Sequence, residues 1–242
     1  PTKFIAGMIQ HFSRLKDEDI SPIEYIAWAK TQNSELKTQS NEEKQEFEKN
    51  KELANAYRIY EELKVKEGMA DYSDLISNTL KLFRTRKNIL VRYQEQFKYV
   101  LIDEFQDTNY AQNEMAILLS GTRKNITVVG DDDQSIYRFR GSSISNIIQF
   151  RKRFPKVKII VLTKNYRSTK EILDRSYSLI QKNNPDRLEI AEKIDKKLES
   201  MRRINGKKIE VLYCNRVEEE AEMVVKSIKD QIGYEWKDFA IL

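Results

Sequence analysis

Three places along the chain put chemically able polar residues directly after a short apolar run. Tyr99-Val100-Leu101-Ile102 runs into Asp103-Glu104, Ile126-Thr127-Val128-Val129 runs into Gly130-Asp131-Asp132-Asp133-Gln134, and Ile159-Ile160-Val161-Leu162 leads to Asn165-Tyr166-Arg167-Ser168. Runs of this length and branching read as buried parallel strands, and in an open parallel sheet ligands bind off the carboxyl ends of the strands. A carboxylate placed there can hold Mg2+ bound to a nucleotide, and the next acid can orient and deprotonate a water. Asp103-Glu104 is thus a Walker B arrangement. Gln134, a neutral amide, is suited to positioning a water or sensing a terminal phosphate. Tyr166 offers an aromatic plane and Arg167 a guanidinium, just before a helix N-terminus. An acid after one strand often only caps the next helix; three strand ends loaded this way are a stronger signal.

Composition removes competing chemistries. One cysteine and one histidine in 242 residues cannot build a structural zinc site or an intrachain disulfide, and leave triad catalysis resting on a single imidazole. Cys214 reads as a buried thiol and His11 as a surface imidazole. Charged residues make up 33% of the chain, mean hydropathy is -0.67, and no apolar run is long enough for a bilayer span or signal peptide. The expectation is a soluble, cytoplasmic protein with no membrane partner. The net charge of +5 is unevenly spread: ten basic residues and no acid lie from Gln134 to Lys170, so the remainder is net acidic. That stretch suits a polyanion, although Arg151 and Arg153 also fit a solvated helix face.

The first third of the chain reads as helical. Residues 21–29 form one helix with Pro22 at its first position; residues 42–67 form another, apolar at Leu53, Tyr57, Tyr60 and Leu63 and closed by Gly68. Glu42, Glu43, Glu46 and Glu48 read as its solvated face. Asp71 is the N-cap of a third helix with a stripe at Tyr72, Leu75, Ile76, Leu80 and Phe83. From residue 97 the pattern becomes α/β with a parallel sheet, with helical spacing at Ala111, Met115, Leu118 and Leu119 and at Ile144, Ile147, Ile148 and Phe154. Ser168 to Glu171 reads as a capping box for a helix with Ile172, Leu173, Tyr177 and Ile180 inward. Residues 183–206 read as an exposed connection, followed by a strand at 208–213, a helix at 216–232 ended by Gly233, and a strand at 238–242.

Asp103-Glu104-Phe105-Gln106-Asp107-Thr108, the run from Val129 through Gly141, and Asn165-Tyr166-Arg167-Ser168-Thr169 closely resemble motifs II, III and IV of the UvrD/Rep/PcrA-like superfamily 1 DNA helicases, in order and spacing. Asp71-Tyr72-Ser73-Asp74-Leu75 resembles a weaker upstream motif of that family. The resemblance implies parallel RecA-like motor-domain sheets of P-loop NTPase type with an N-terminal all-helical subdomain. Residues 1–95 would be part of an inserted helical subdomain, 96–163 the second half of the first motor domain, and 164–242 the first part of the second. It further implies ATP and Mg2+ as cofactors, with Asp103 and Glu104 at the metal, Glu104 as general base, Gln134 and Arg167 at the γ-phosphate, and Tyr166 stacked on adenine. Tyr137, Phe139 and Arg140 would contact single-stranded DNA, where base stacking on aromatics contributes about 1–3 kcal/mol per base. The implied partners are single-stranded DNA, duplex junctions, and repair or replication proteins, with 3′ to 5′ polarity.

Two departures stand out. The family's Tyr-Gly-Trp-Arg-Gly is here Tyr137-Arg138-Phe139-Arg140-Gly141, a smaller stacking face with an added cation; a core aromatic at Phe139 fits poorly with an arginine on each side. No G-x-x-x-x-G-K-[ST] phosphate loop occurs among the seven glycines. The family places that loop upstream and further arginine motifs downstream, and both ends look cut, so the chain is expected to be an excerpt that does not turn over ATP alone. Other readings are a non-catalytic nucleic-acid-binding or assembly module on a helicase scaffold, or an RNA helicase or helicase-nuclease subunit.

Overall fold

The structure is a computed structural model that describes residues 2–31, 41–135 and 145–242. The helices begin where local chemistry starts them. After α1 (Thr2–Asp17), α2 (Pro22–Thr31) opens on a proline that needs no N–H donor, with Ser21 and Glu24 exchanging backbone and side-chain hydrogen bonds. The long α3 (Asn41–Glu67) stops at Gly68, whose φ of +64° suits glycine. At α4 (Tyr72–Thr85), Asp71 and Asp74 form a reciprocal capping box, and α5 (Lys87–Gln96) follows directly. Phe12, Leu15, Tyr25, Ala29, Ala54 and Tyr57 form the core of this part, with Phe12 stacked on Tyr57 at 5.0 Å.

Two stripe expectations change. Leu63 is exposed and its neighbour Lys64 is buried, while on α4 Tyr72 and Leu75 face solvent and only Leu80 and Phe83 are fully inside. Burying Lys64 requires paired charge, and the structure supplies it. Lys16 and Lys64 each lie within 2.5–2.9 Å of Glu61, Asp71 and Asp74 carboxylate oxygens. Burial alone would lower the Lys64 pKa, but hydrogen bonds from Lys64 to Asp71, Asp74 and Glu61 raise it well above the usual range. Burial likewise opposes ionisation of Asp71 and Asp74, yet the two ammonium groups hold both carboxyls below their ordinary range. Their contribution to stability is therefore present above a carboxylate's ordinary value of about 3.9 and is lost as pH falls below it; that of Lys64 is present below about 10.4 and is lost only as pH rises through its raised value. Lys64→Met, which leaves the buried Asp74 carboxylate and the partly buried Glu61 and Asp71 short of one cation, is expected to destabilise the chain by about 3 kcal/mol at pH 7. The stability lost on going from pH 5 to pH 2 should also shrink in the variant, and urea unfolding at both pH values checks this. As expected, Glu42, Glu43, Glu46 and Glu48 are exposed on α3.

His11 is partly buried, its Nε2 3.0 Å from the Tyr25 hydroxyl, because α1 packs that face inward; burial, with Arg14 and Lys49, lowers its pKa. This corrects the surface reading.

The α/β part starts at β1 (Val100–Ile102), crosses through α6 (Tyr110–Ser120) to β2 (Ile126–Val128), and continues to α7 (Ser145–Arg153). β1 and β2 are parallel, with Val100 opposite Ile126 and Ile102 opposite Val128. Asn109 caps α6 through a second reciprocal box and also donates to Asp17 of α1 at 2.7 Å. Phe105 meets Phe150 of α7 edge-on at 5.4 Å. α6 contacts both strands, and Leu101 on the other face is exposed, against the expectation of strands buried on both sides.

The chain divides into two compact units, Pro1–Ile159 and Ile160–Leu242. The second holds β3 (Lys164–Asn165), α8 (Lys170–Ile180), α9 (Leu188–Ala191), β4 (Glu199–Ser200) and α10 (Val217–Lys229). β3 and β4 pair in parallel as a separate two-stranded sheet. Residues 159–162 do not form the expected strand, and Ile160 and Leu162 are exposed. A strand is completed by its partner's hydrogen bonds, and the ladder with β4 begins only at Thr163, whose carbonyl accepts from Glu199 N–H at 2.8 Å. The expected strands at 208–213 and 238–242 also lack a ladder; the latter is preceded by a single 3-10 turn at Trp236–Asp238.

Within 183–206 the structure finds more than an exposed connection. Arg187 is buried, paired with Glu189 at 2.7 Å and set over Tyr177, and β4 lies in the same segment. On α8, Leu173 is buried but Ile172 is exposed. Thr169 is the N-cap, and no side-chain capping bond forms at that helix start: Glu171 instead accepts from Gly206 N–H at 2.9 Å. α10 spans most of the expected helix and Gly233 follows it at φ +87°. Cys214 is only partly buried, 3.2 Å from Met223 Sδ.

Candidate functional site

The parallel pairing of β1 and β2 brings their carboxyl ends side by side. The ladder continues past both strands, since Val129 N–H donates to Ile102 O at 2.8 Å and Phe105 N–H to Val129 O at 2.9 Å. Between those two bonds sit Asp103 and Glu104, both exposed. Burial of Phe105 pulls the chain into a 3-10 turn, Phe105–Asp107, and the reversal falls on Glu104, which takes the left-handed conformation at φ +49°, ψ +43°. For a non-glycine residue this costs about 1–3 kcal/mol, and such strain clusters at functional sites.

The Glu104 carboxylate is held from one side. Its Oε2 accepts from Gln106 Nε2 at 2.7 Å; Gln106 Oε1 accepts from Asp131 N–H at 3.0 Å; and Asp131 Oδ2 accepts from Gln134 Nε2 at 2.9 Å. Gln106 is 1% exposed, and only one orientation of its amide can donate to a carboxylate and accept from an N–H. A hydrogen bond to a charged acceptor contributes about 1.5–3 kcal/mol, comparable with the about 1.5–2 kcal/mol of entropy lost in fixing a glutamate side chain. The bond thus biases the carboxylate toward one place without locking it. Gly130 makes the bridge possible: a Cβ there would lie 2.8 Å from Gln106 Oε1. Asp131 caps the 3-10 turn Asp132–Gln134 through Asp133 N–H, leaving Gln134 exposed at its end.

Two of the three expected strand ends are therefore joined in one hydrogen-bonded line containing Glu104 and Gln134, with Asp103 beside it. Asp103 and Glu104 offer hard carboxylate oxygens, the donor type Mg2+ takes. Tyr137, Phe139 and Arg140 lie outside the described residues.

Tyr166 and Arg167 belong to the second unit, where both are exposed on the turn after β3. The turn's backbone is braced rather than loose. Asn165 Oδ1 accepts from Arg167 N–H at 3.0 Å and Ser168 N–H at 2.7 Å; Ser200 Oγ donates to Ser168 O at 2.8 Å, and Arg202 Nη1 to Arg167 O at 3.1 Å. A Cβ on Gly206 would collide with the Thr169 hydroxyl, so the segment after β4 passes close only because that residue is glycine. The outcome is a fixed backbone carrying a free aromatic plane and a guanidinium.

Sequence reasoning missed Gln106, Ser200 and Arg202. The first reads as one polar residue within a recognised motif, and the other two fall in a stretch that looks like a linker. Of the basic stretch, Arg153 pairs with Glu114 and Lys170 with Asp174, whereas Lys152, Lys156 and Lys158 are exposed.

An acid pair at the end of an apolar strand, tied to a second strand end that carries an amide, has the donor groups that a metal-bound nucleotide needs. Comparison with known proteins narrows the class. Residues 3–155 match the UvrD/REP helicase N-terminal domain and residues 160–242 the UvrD-like helicase C-terminal domain, so the chain belongs to the UvrD/REP helicase family. It is 36% identical over 236 residues, 94% of its length, to the ATP-dependent DNA helicase PcrA of Staphylococcus aureus, of which the match covers 31%. To the protein of the same name from Leuconostoc citreum it is 37% identical over 195 residues, 78% of this chain and 25% of that one. The chain thus spans about a quarter to a third of the curated relatives it matches.

Proposed function

We propose that the protein to which this chain belongs is an ATP-dependent DNA helicase that couples Mg-ATP hydrolysis to translocation on single-stranded DNA and duplex unwinding, 3′ to 5′, in DNA repair or replication. The observation that carries this reading is the line Glu104–Gln106–Asp131–Gln134 at the ends of paired strands, on a chain of the UvrD/REP family. Asp103 and Glu104 would hold Mg2+, which when bound neutralises charge on the nucleotide phosphates. Glu104 accepts the proton of the attacking water, and Gln134 orients that water against the γ-phosphate. Arg167 spreads its charge over the phosphoryl oxygens, while Tyr166 stacks on the adenine. Tyr137, Phe139 and Arg140 take single-stranded DNA, and the basic stretch around them adds the phosphate attraction common to such sites.

In this reading residues 1–95 are part of a helical insertion, 96–163 the second half of one RecA-like motor domain and 164–242 the first part of another, in a cytoplasmic protein. No described helix is long and apolar enough to cross a membrane. The test is unwinding of 3′-tailed, 5′-tailed and blunt duplex DNA by the full-length protein. ATP-dependent opening of the 3′-tailed duplex alone is expected. Opening that prefers a 5′ tail overturns the polarity, and DNA binding with no ATP consumption points to a non-catalytic module.

A further inference from the structure

We infer that Gln106 is a positioning residue for the hydrolytic step: its side-chain amide sets the Glu104 carboxylate and ties it to the Asp131–Gln134 turn, so that the proton acceptor and the phosphate-facing amide share one frame. This rests on the reading of Glu104 as the base.

The geometry has three parts. Gln106 is almost fully buried although it follows two exposed acids, so its place is set by what it bonds and not by solvation. It is the only described side chain with a hydrogen bond to the Glu104 carboxylate and also reaches the other strand end, through Asp131 N–H. Gly130 is the one residue type that lets the amide come so close, since any Cβ would sit inside contact distance of Gln106 Oε1. Glu104 itself has a left-handed backbone, so its side chain leaves β1 in a direction no regular strand residue would take. A carboxylate launched this way needs an external guide to meet a water in line with the γ-phosphate, and misplacement by about 1 Å costs about 10²-fold in rate.

Two variants of the full-length protein test this. Gln106→Met removes both hydrogen bonds at similar volume. Gln106→Asn keeps an amide but is one methylene shorter, so it cannot reach the Glu104 carboxylate and Asp131 N–H together. Each is expected to lower kcat for DNA-stimulated ATP hydrolysis by about 10²-fold, with KM for ATP and single-stranded DNA affinity changed only a few-fold. A role confined to holding the fold predicts otherwise: the folded variants would keep parental kcat, and losses would appear in the melting temperature alone. Parental kcat in either folded variant overturns the inference, so failure of Gln106→Met to fold leaves Gln106→Asn to decide. Glu104→Gln is assayed alongside. If it keeps parental turnover, the base reading falls and this inference with it; if it is inactive while the Gln106 variants are not, only this inference falls.

Discussion

Arg167→Ala in the full-length protein is expected to lower ATP turnover by about 10³- to 10⁵-fold, the range spanned by a guanidinium acting on a transferring phosphoryl group. Phosphoryl transfer needs little covalent help from the protein, so most of the acceleration comes from charge held where charge develops. Arg167 is suited to that task because its backbone is fixed by Asn165 and Arg202, with Ser200 holding the adjacent Ser168 carbonyl, while its side chain is exposed. Lysine at this position keeps the charge and loses the planar fork, so Arg167→Lys should recover only a small part of the rate. Single-turnover hydrolysis, with ATP affinity measured separately, distinguishes a loss in the chemical step from a loss in binding. An Arg167→Ala variant that hydrolyses ATP at the parental rate removes Arg167 from the reaction.

Glu104→Gln should cost about 10²- to 10⁴-fold in kcat, the usual contribution of a positioned general base. The substitution is isosteric, and an amide oxygen can still accept the Gln106 Nε2 hydrogen, so the turn should keep its shape. Asp103 keeps its carboxylate, and Mg-ATP binding should therefore change far less than turnover. Comparable losses in both would mean that Glu104 acts mainly as a metal ligand.

What could be read in the sequence was set by local chemistry. Pro22, Asp71 and Gly68 mark helix ends because a missing donor, a capping carboxylate and a positive φ act within one turn. The ends of β1 and β2 were legible for a similar reason, in that branched apolar runs stop where acids begin. Features that depend on partners distant in the chain were not. Residues 159–162 look like a strand, yet β4 pairs from Thr163 onward. Lys64 is buried and Leu63 is not because two aspartates seven and ten residues later collect its ammonium group, which no periodicity reveals. Asp71 and Asp74, noted as part of a family motif, are explained in the structure by this network and by capping α4. Gln106 was hidden in the same way, since its bridge to Asp131 N–H runs against a glycine twenty-four residues on.

The central claim is that Asp103, Glu104 and Gln134 belong to an ATP-hydrolysing motor stimulated by DNA. The most direct measurement is the steady-state ATP hydrolysis rate of the full-length protein with and without single-stranded DNA, parent beside Glu104→Gln. The expected result is hydrolysis that rises strongly with single-stranded DNA in the parent and is nearly abolished in the variant, with ATP still bound. Hydrolysis indifferent to DNA, or unchanged by Glu104→Gln, would contradict it.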